Sequence, residues 1–197
     1  MKKFIKLSLL IGVLLISGSA VARDVDFSLS FNTVTNKSIN FNISNSKNVS
    51  LYFYDDSKDE IFSEVISKNN TAEKSYNLDK LENGNYYLVA ESDNRIEKYK
   101  ITVKENIVNV DKAPISAITK PEYTVTKNVV KLQMSDVVGD VKVSVYDTAN
   151  NTYYSKSNVA KDGMIDLTFD LNPQNPETYI INVEKDGDSF SRMISLK

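Results

Sequence analysis

LENGNYYLVAESDNRIEKYKITV, residues 81–103, returns in weaker form as NPETYIINVEKDGDSFSRMISL, residues 175–196. From Tyr86 and Tyr179 onward the two run together without a gap, matching Glu91 with Glu184, Asp93 with Asp186 and Ile101 with Ile194. Upstream, TVTNKSINFNIS (33–44) lies over TVTKNVVKLQMS (124–135), and VSLYFYD (49–55) lies over VKVSVYD (141–147) after one extra residue in the intervening loop. Self-similarity over about 92 residues makes the chain two copies of one unit.

Within each copy apolar and polar residues alternate, as in Ile39, Phe41, Ile43 and again Val49, Leu51, Phe53. That is the period of a strand with one face buried, and no long window carries a helical stripe. Turn-rich segments punctuate the alternation: SNSKN at 44–48, DDSKD at 55–59, KNNT at 68–71, ENGN at 82–85 and ESDN at 91–94. The pattern predicts strands near 25–34, 38–43, 49–54, 60–66, 73–78, 85–91 and 96–103 in the first copy. The second copy should hold them near 121–126, 129–134, 141–147, 151–156, 164–170, 178–184 and 189–196. Seven short strands per copy is the count of an immunoglobulin-like or fibronectin-III-like sandwich. The predicted fold is all-β, with two tandem sandwiches at 23–104 and 121–197 joined by a linker at 105–120. Pro114 within that linker and Pro121 at its end make the connection semi-stiff.

The first residues predict export. Lys2, Lys3 and Lys6 precede an apolar run from Leu7 to Ile16, and Ala20-Val21-Ala22 closes it, which reads as a signal peptide over 1–22. The run is too short for a membrane span of about 20 residues. Cleavage would remove three lysines and no acid, taking the formal charge from -2 to -5. An acidic chain with scattered lysines offers no track for nucleic acid. With no cysteine, stability must come from ordinary cores.

Composition also restricts chemistry. Without histidine or cysteine, Ser-His-Asp and Cys-His catalysis and zinc sites with nitrogen or sulfur ligands are excluded. No glycine-rich phosphate loop is present. An enzyme would need a carboxylate pair in a cleft, and the acids here fall mostly in turns, so the chain is predicted to be non-catalytic. The acid clusters are Asp55, Asp56, Asp59 and Glu60, then Asp136 and Asp140, then Asp186 and Asp188 around Gly187. Oxygen ligands suit calcium, and Asp55, Asp56, Asp59, Asp186 and Asp188 are candidate ligands, although the same residues are ordinary turn formers. No other cofactor is indicated.

Tyrosines recur as Tyr52 with Tyr54 and as the doublets Tyr86-Tyr87 and Tyr153-Tyr154. One member of each doublet must face outward from a strand, where it can stack on a sugar or anchor a protein, or simply pair across the sheet. Tyr52, Tyr54, Tyr87 and Tyr154 are the candidate binding residues for a protein or polysaccharide partner. Edge strands that pair with other subunits are the alternative, structural use of such a fold.

The patterns V-x-V-Y-D, an apolar alternation with L-x-N-G-x-Y-x-L-x-A around Asn83-Gly84-Asn85-Tyr86, and a closing strand resemble the small β-sandwich domains of secreted Bacteroidetes proteins. These include the C-terminal sorting domains of type IX secretion. The resemblance implies either a second sandwich that addresses the chain across the outer membrane, or a periplasmic, surface or secreted protein with two equal copies. The terminal copy departs from the motif, with Pro176-Glu177-Thr178-Tyr179 where the glycine belongs. Asp147-Thr148-Ala149 resembles the O-glycosylation acceptor motif of the same bacteria, with Thr148 as acceptor.

Overall fold

The computed structural model describes residues 26–34, 37–45, 48–67, 71–105, 107–172 and 178–196. The expected signal peptide over 1–22 lies outside the described residues. The chain is all-β. Its first copy contains β1 (Ser28–Val34), β2 (Ser38–Ser44), β3 (Val49–Asp55), β4 (Glu60–Ile66), β5 (Ala72–Asn77), β6 (Gly84–Glu91) and β7 (Arg95–Lys104). Then come β8 (Ile107–Val110) and β9 (Ser116–Thr119). The second copy contains β10 (Glu122–Thr126), β11 (Val129–Met134), β12 (Asp140–Asp147), β13 (Thr152–Val159), β14 (Ile165–Asp170), β15 (Thr178–Lys185) and β16 (Asp188–Ser195).

Alternation does what it predicts. Along β2 every second residue is buried, placing Ile39, Phe41 and Ile43 inside and Asn40 and Asn42 outside. In β12 the valines 141, 143 and 145 face in. Each copy buries its apolar face between two sheets: β1-β2-β5 against β4-β3-β6-β7-β8, and β10-β11-β14 against β13-β12-β15-β16. Two separate cores result, one around Phe41, Phe53 and Leu88, the other around Leu132, Val143 and Ile181.

Matching residues close both copies in the same way. Tyr86 donates its hydroxyl hydrogen to the Glu82 carbonyl at 2.9 Å, and Tyr179 donates to the Asn172 carbonyl at 3.0 Å. This is the tyrosine corner of immunoglobulin-type sandwiches. Asp55 and Asp147 fold identical turns after their strands: the Asp59 and Asn151 amides bond the Asp55 and Asp147 Oδ1 at 2.9 and 2.8 Å. The backbone bonds Lys58 N to Asp55 O and Asn150 N to Asp147 O repeat as well, with Lys58 and Asn150 both left-handed. Asp186 and Gly187, at φ 52° and 90°, turn the final hairpin in the mirror-image geometry that an Asp-Gly pair favours.

The segment expected as a linker is itself largely strand. β8 pairs with the end of β7 (Ile101 with Val110, Val103 with Val108), and β9 pairs with its beginning (Ile96 with Ile118). Pro114 and Pro121 flank β9, where their missing amides cost no ladder bond. The side chain of Ile118, only 4% exposed, belongs to the core of the second sandwich, although its backbone belongs to the sheet of the first. Lys120 adds bonds from its Nζ to Glu91 Oε1 at 2.6 Å and to the Ser92 carbonyl at 2.7 Å.

Candidate functional site

The outward face of the five-strand path β4-β3-β6-β7-β8 gathers three of the four candidate tyrosines. Because Leu51 and Phe53 point into the core, Tyr52 and Tyr54 must point out, and because Tyr86 and Leu88 point in, Tyr87 points out. Register places Tyr54 directly opposite Tyr87 and Tyr52 opposite Val89. The rings of Tyr52 and Tyr54 lie nearly parallel, centroids 6.1 Å apart at 20°. Tyr87 is fixed from two sides: its hydroxyl donates to Asp56 Oδ1 at 3.0 Å, and Lys98 Nζ lies 4.2 Å from its ring centre. That contact joins a cation to an electron-rich face. The hydrogen bond to Asp56 raises the Tyr87 pKa, with burial a smaller cause; for Tyr54 burial comes first and Glu60 second.

β4 adds Val65, opposite Ser50 and 66% exposed, to the same face, and Ile61, 42% exposed, sits at the skip between the Phe53 and Tyr54 pairs. Lys98 and Lys100 border the patch on β7. The result is an apolar, aromatic surface with a charged rim.

The second sandwich shows that the fold does not require this face. Ser144 stands where Tyr52 stands, Ile180 where Tyr87 stands and Asn182 where Val89 stands. Tyr146 keeps the place of Tyr54, in a row with Ile180 and the exposed Met193; beyond that row the outward surface is a polar lattice, with Ser144 and Ser155 hydroxyls 3.1 Å apart, and Ser189 and Ser191 donating to Asn182 Oδ1 at 2.8 and 2.7 Å. Lys142 and Glu184 form an ion pair across it at 3.1 Å. Tyr52 and Tyr87, and with them the cross-strand tyrosine pair, are therefore particular to the first copy.

Tyr154 corrects the sequence expectation. It is paired with Val145, faces inward, packs edge-on against Phe169 with centroids 5.2 Å apart, and donates to Asn158 Oδ1 at 2.9 Å. An irregularity between Val145 and Tyr146 skips Tyr153, so the strand parity that would have turned Tyr154 outward is reversed. Tyr153 donates instead to Asp147 Oδ2 at 3.0 Å and stands edge-on to Tyr179.

Three of the candidate calcium ligands have protein partners. Asp55 caps its own turn, Asp56 receives Tyr87, and Asp186 pairs with Lys185 Nζ at 2.6 Å. Asp188 is exposed, yet the protein mass around its carboxyl pushes its pKa up first of all, while Lys98 and Lys58 pull it down. Among the described residues no three acids gather about a common point. Thr148 sits exposed at the crest of the turn whose base Asp147 holds with four bonds, from the Ala149 and Asn151 amides, the Asn151 side chain and Tyr153. Sequence reasoning missed two buried acids, Asp147 and Glu97. Glu97 accepts from Arg95 Nε at 2.8 Å and from the Tyr99 hydroxyl at 2.6 Å. Their only signal was an acid at an inward position of an alternating strand.

No family model and no curated protein matches the chain. Among solved structures, the BSP domain of a biofilm-associated protein is 12% identical with a TM-score of 0.30 over 86% of this chain and 29% of that one. A tetra-tandem repeat from the extending region of a large adhesion protein is 15% identical with a TM-score of 0.26 over 87% of this chain and 49% of that one. The FN1–FN3 domains of chicken CNTN1 are 7% identical with a TM-score of 0.30 over 86% of this chain and 63% of that one. The chain thus spans less than two thirds of each of these structures. Likeness at this level leaves function to be read from the chain's own surface. Strand order and tyrosine corners define the class, a protein of tandem fibronectin-III-like sandwiches.

Proposed function

We propose that the protein is a non-catalytic binding or adhesion module that holds a protein partner on the outward face of the first sandwich. The stacked pair Tyr52 and Tyr54, of which the second copy keeps only the counterpart of Tyr54, Tyr146, beside Ser144, carries this reading. Stiff aromatic rings give a large contact area at small entropic cost, and Ile61 and Val65 extend the apolar centre toward the sheet edge. The parallel rings also favour a second reading, in which a polysaccharide stacks along them.

A photo-crosslinking residue placed at Ser63, across from Tyr52, tests the proposal in the native host; the control position is Ser155, across from Ser144. A partner captured from position 63, absent from position 155 and lost on Tyr52→Ala, is the expected result. Equal capture at both positions overturns the assignment of the face. Retention by an immobilised polysaccharide, abolished by the same substitution, moves the reading to the glycan.

The proposal includes export, with removal of residues 1–22. The sequence resemblance leaves room for a second sandwich that serves as a type IX sorting domain, and edge pairing leaves room for a structural subunit. Intact mass measured separately from periplasm, cell surface and medium distinguishes them: loss of a C-terminal segment at the surface supports sorting. A species at 23–197 confined to the periplasm supports two equal copies. The same spectra read a glycan increment at Thr148.

A further inference from the structure

Strand register places the second sandwich at one corner of the tyrosine face. Residues directly opposite one another in a ladder share a side of the sheet, so Val65, Ser50, Glu91, Ile96 and Ile118 form one row across the outward side of β4, β3, β6, β7 and β9. Ile118, at the end of that row, is buried in the core of the second sandwich. The second sandwich therefore stands on the outward side of the first, at the β9 corner. The adjoining row is Ser63, Tyr52, Val89, Lys98 and Ser116, and the row after it is Glu60, Tyr54, Tyr87 and Lys100.

The turn between β15 and β16 reaches out from that corner. At its base, Lys185 and Asp186 line a small cavity together with Ala117, Ile118 and Thr119, and the Lys185 side chain is only 10% exposed. At its tip, the Asp188 carboxyl lies within electrostatic reach of Glu91, Lys98 and Lys58. Glu91 belongs to the first row and Lys98 to the second, while Lys58 belongs to the turn between β3 and β4, beyond the Tyr54 row. The tip thus stands out over the face. The tyrosines form the floor of a cleft, and the hairpin of the second sandwich forms its wall.

Resting on the reading of the tyrosine face above, we propose that the site is shared by both sandwiches and takes one extended, apolar polypeptide segment, which crosses the strands over Tyr52 and Tyr54 and passes against the hairpin tip at Asp188. Residues two apart along a strand are separated by about 7 Å, so the Tyr52 and Tyr54 rows together offer the width of a single extended chain. A broad, flat surface would collide with the second sandwich at the β9 corner. The charged groups around the floor already have counterparts within the chain. Glu91 accepts from Lys120 Nζ at 2.6 Å, Asp56 accepts from the Tyr87 hydroxyl at 3.0 Å, and Lys98 lies over the Tyr87 ring. Apolar side chains therefore suit the floor better than ionic ones, which would have to displace these pairs.

The chain has no cysteine, so an introduced pair is unique. In the full chain, Lys98→Cys with Asp188→Cys should be bridged by a short bismaleimide about tenfold or more faster than Lys98→Cys with Thr148→Cys, because Thr148 follows the opposite end of β12. Equal rates overturn the wall whatever the partner is. A photo-crosslinking residue at position 188, used in the native host beside the one at position 63, should capture the same protein. Both captures should be lost on Tyr52→Ala, and both adducts should map to one short stretch of the partner's sequence. Capture at 63 without capture at 188 overturns the shared site and leaves the tyrosine-face reading standing. Adducts scattered over a folded partner, or an adduct with sugar in place of peptide, overturn the extended segment. Capture at neither position removes the tyrosine-face reading and this proposal with it.

Discussion

Ile118→Ala separates the two roles of β9. The substitution leaves the backbone, and so the pairing of β9 with β7, in place; what it removes is a nearly buried side chain from the core of the second sandwich. Truncating a core isoleucine costs about 2–5 kcal/mol, and because Ile118 lies at the margin of its core, where neighbours can relax, about 2–4 kcal/mol is expected. At about 1.4 kcal/mol per factor of ten, that raises the opening equilibrium of the second sandwich by roughly 30- to 1000-fold. Hydrogen exchange followed by mass spectrometry reads this directly. Protection should fall in β11, β12 and β15 and stay nearly unchanged in β3 and β6. Ile61→Ala, on an exposed outward position, serves as the reference and should cost less than about 1 kcal/mol. A loss shared equally by both sandwiches, or confined to the first, refutes the assignment of Ile118 to the second core.

Four further outcomes follow from the same geometry. Tyr52→Ser should change the melting temperature little, by the equivalent of less than about 1 kcal/mol, because Ser144 fills the matching position in the second copy; a larger loss makes the face structural. The Asp147 carboxyl is held below its ordinary value, first by the Asn151 side chain, so its stabilisation is full above the unfolded-state pKa and disappears as pH falls through the lowered folded value. Asp147→Asn should therefore be less stable than wild type at neutral pH, with the gap closing in thermal melts taken down to about pH 2. Gly187→Ala meets no neighbouring atom but must hold φ near +90°, so a loss of about 1 kcal/mol in chemical denaturation is expected from backbone strain alone. Calcium at about millimolar concentration should leave the melting temperature where a chelator leaves it, since Asp55, Asp56 and Asp186 already have protein partners.

The alternation of Ile39, Phe41 and Ile43 and the DDSKD and Asp-Gly turns were enough to place the strands of both copies, with ends shifted by up to three residues. They sufficed because period-two burial and turn chemistry are local properties. The outward direction of Tyr52, Tyr54 and Tyr87 followed from the same parity. Tyr154 did not, because one skipped residue in β13 reverses parity and leaves no mark in composition. β9 was hidden for a different reason: SAIT is a four-residue run whose partner, β7, is set by tertiary closure.

β9 also determines how the protein meets tension. A pull that separates the two sandwiches must either peel β9 from β7, breaking bonds such as Ile115 N to Lys98 O at 2.8 Å and Lys120 N to Asn94 O at 2.7 Å, or withdraw Ile118 from the second core. These are two fasteners in series on one short segment, so the weaker yields first and its release hands slack to the other. A protein built this way has a joint that resists a steady load as a unit and gives in steps, before either core is asked to unfold.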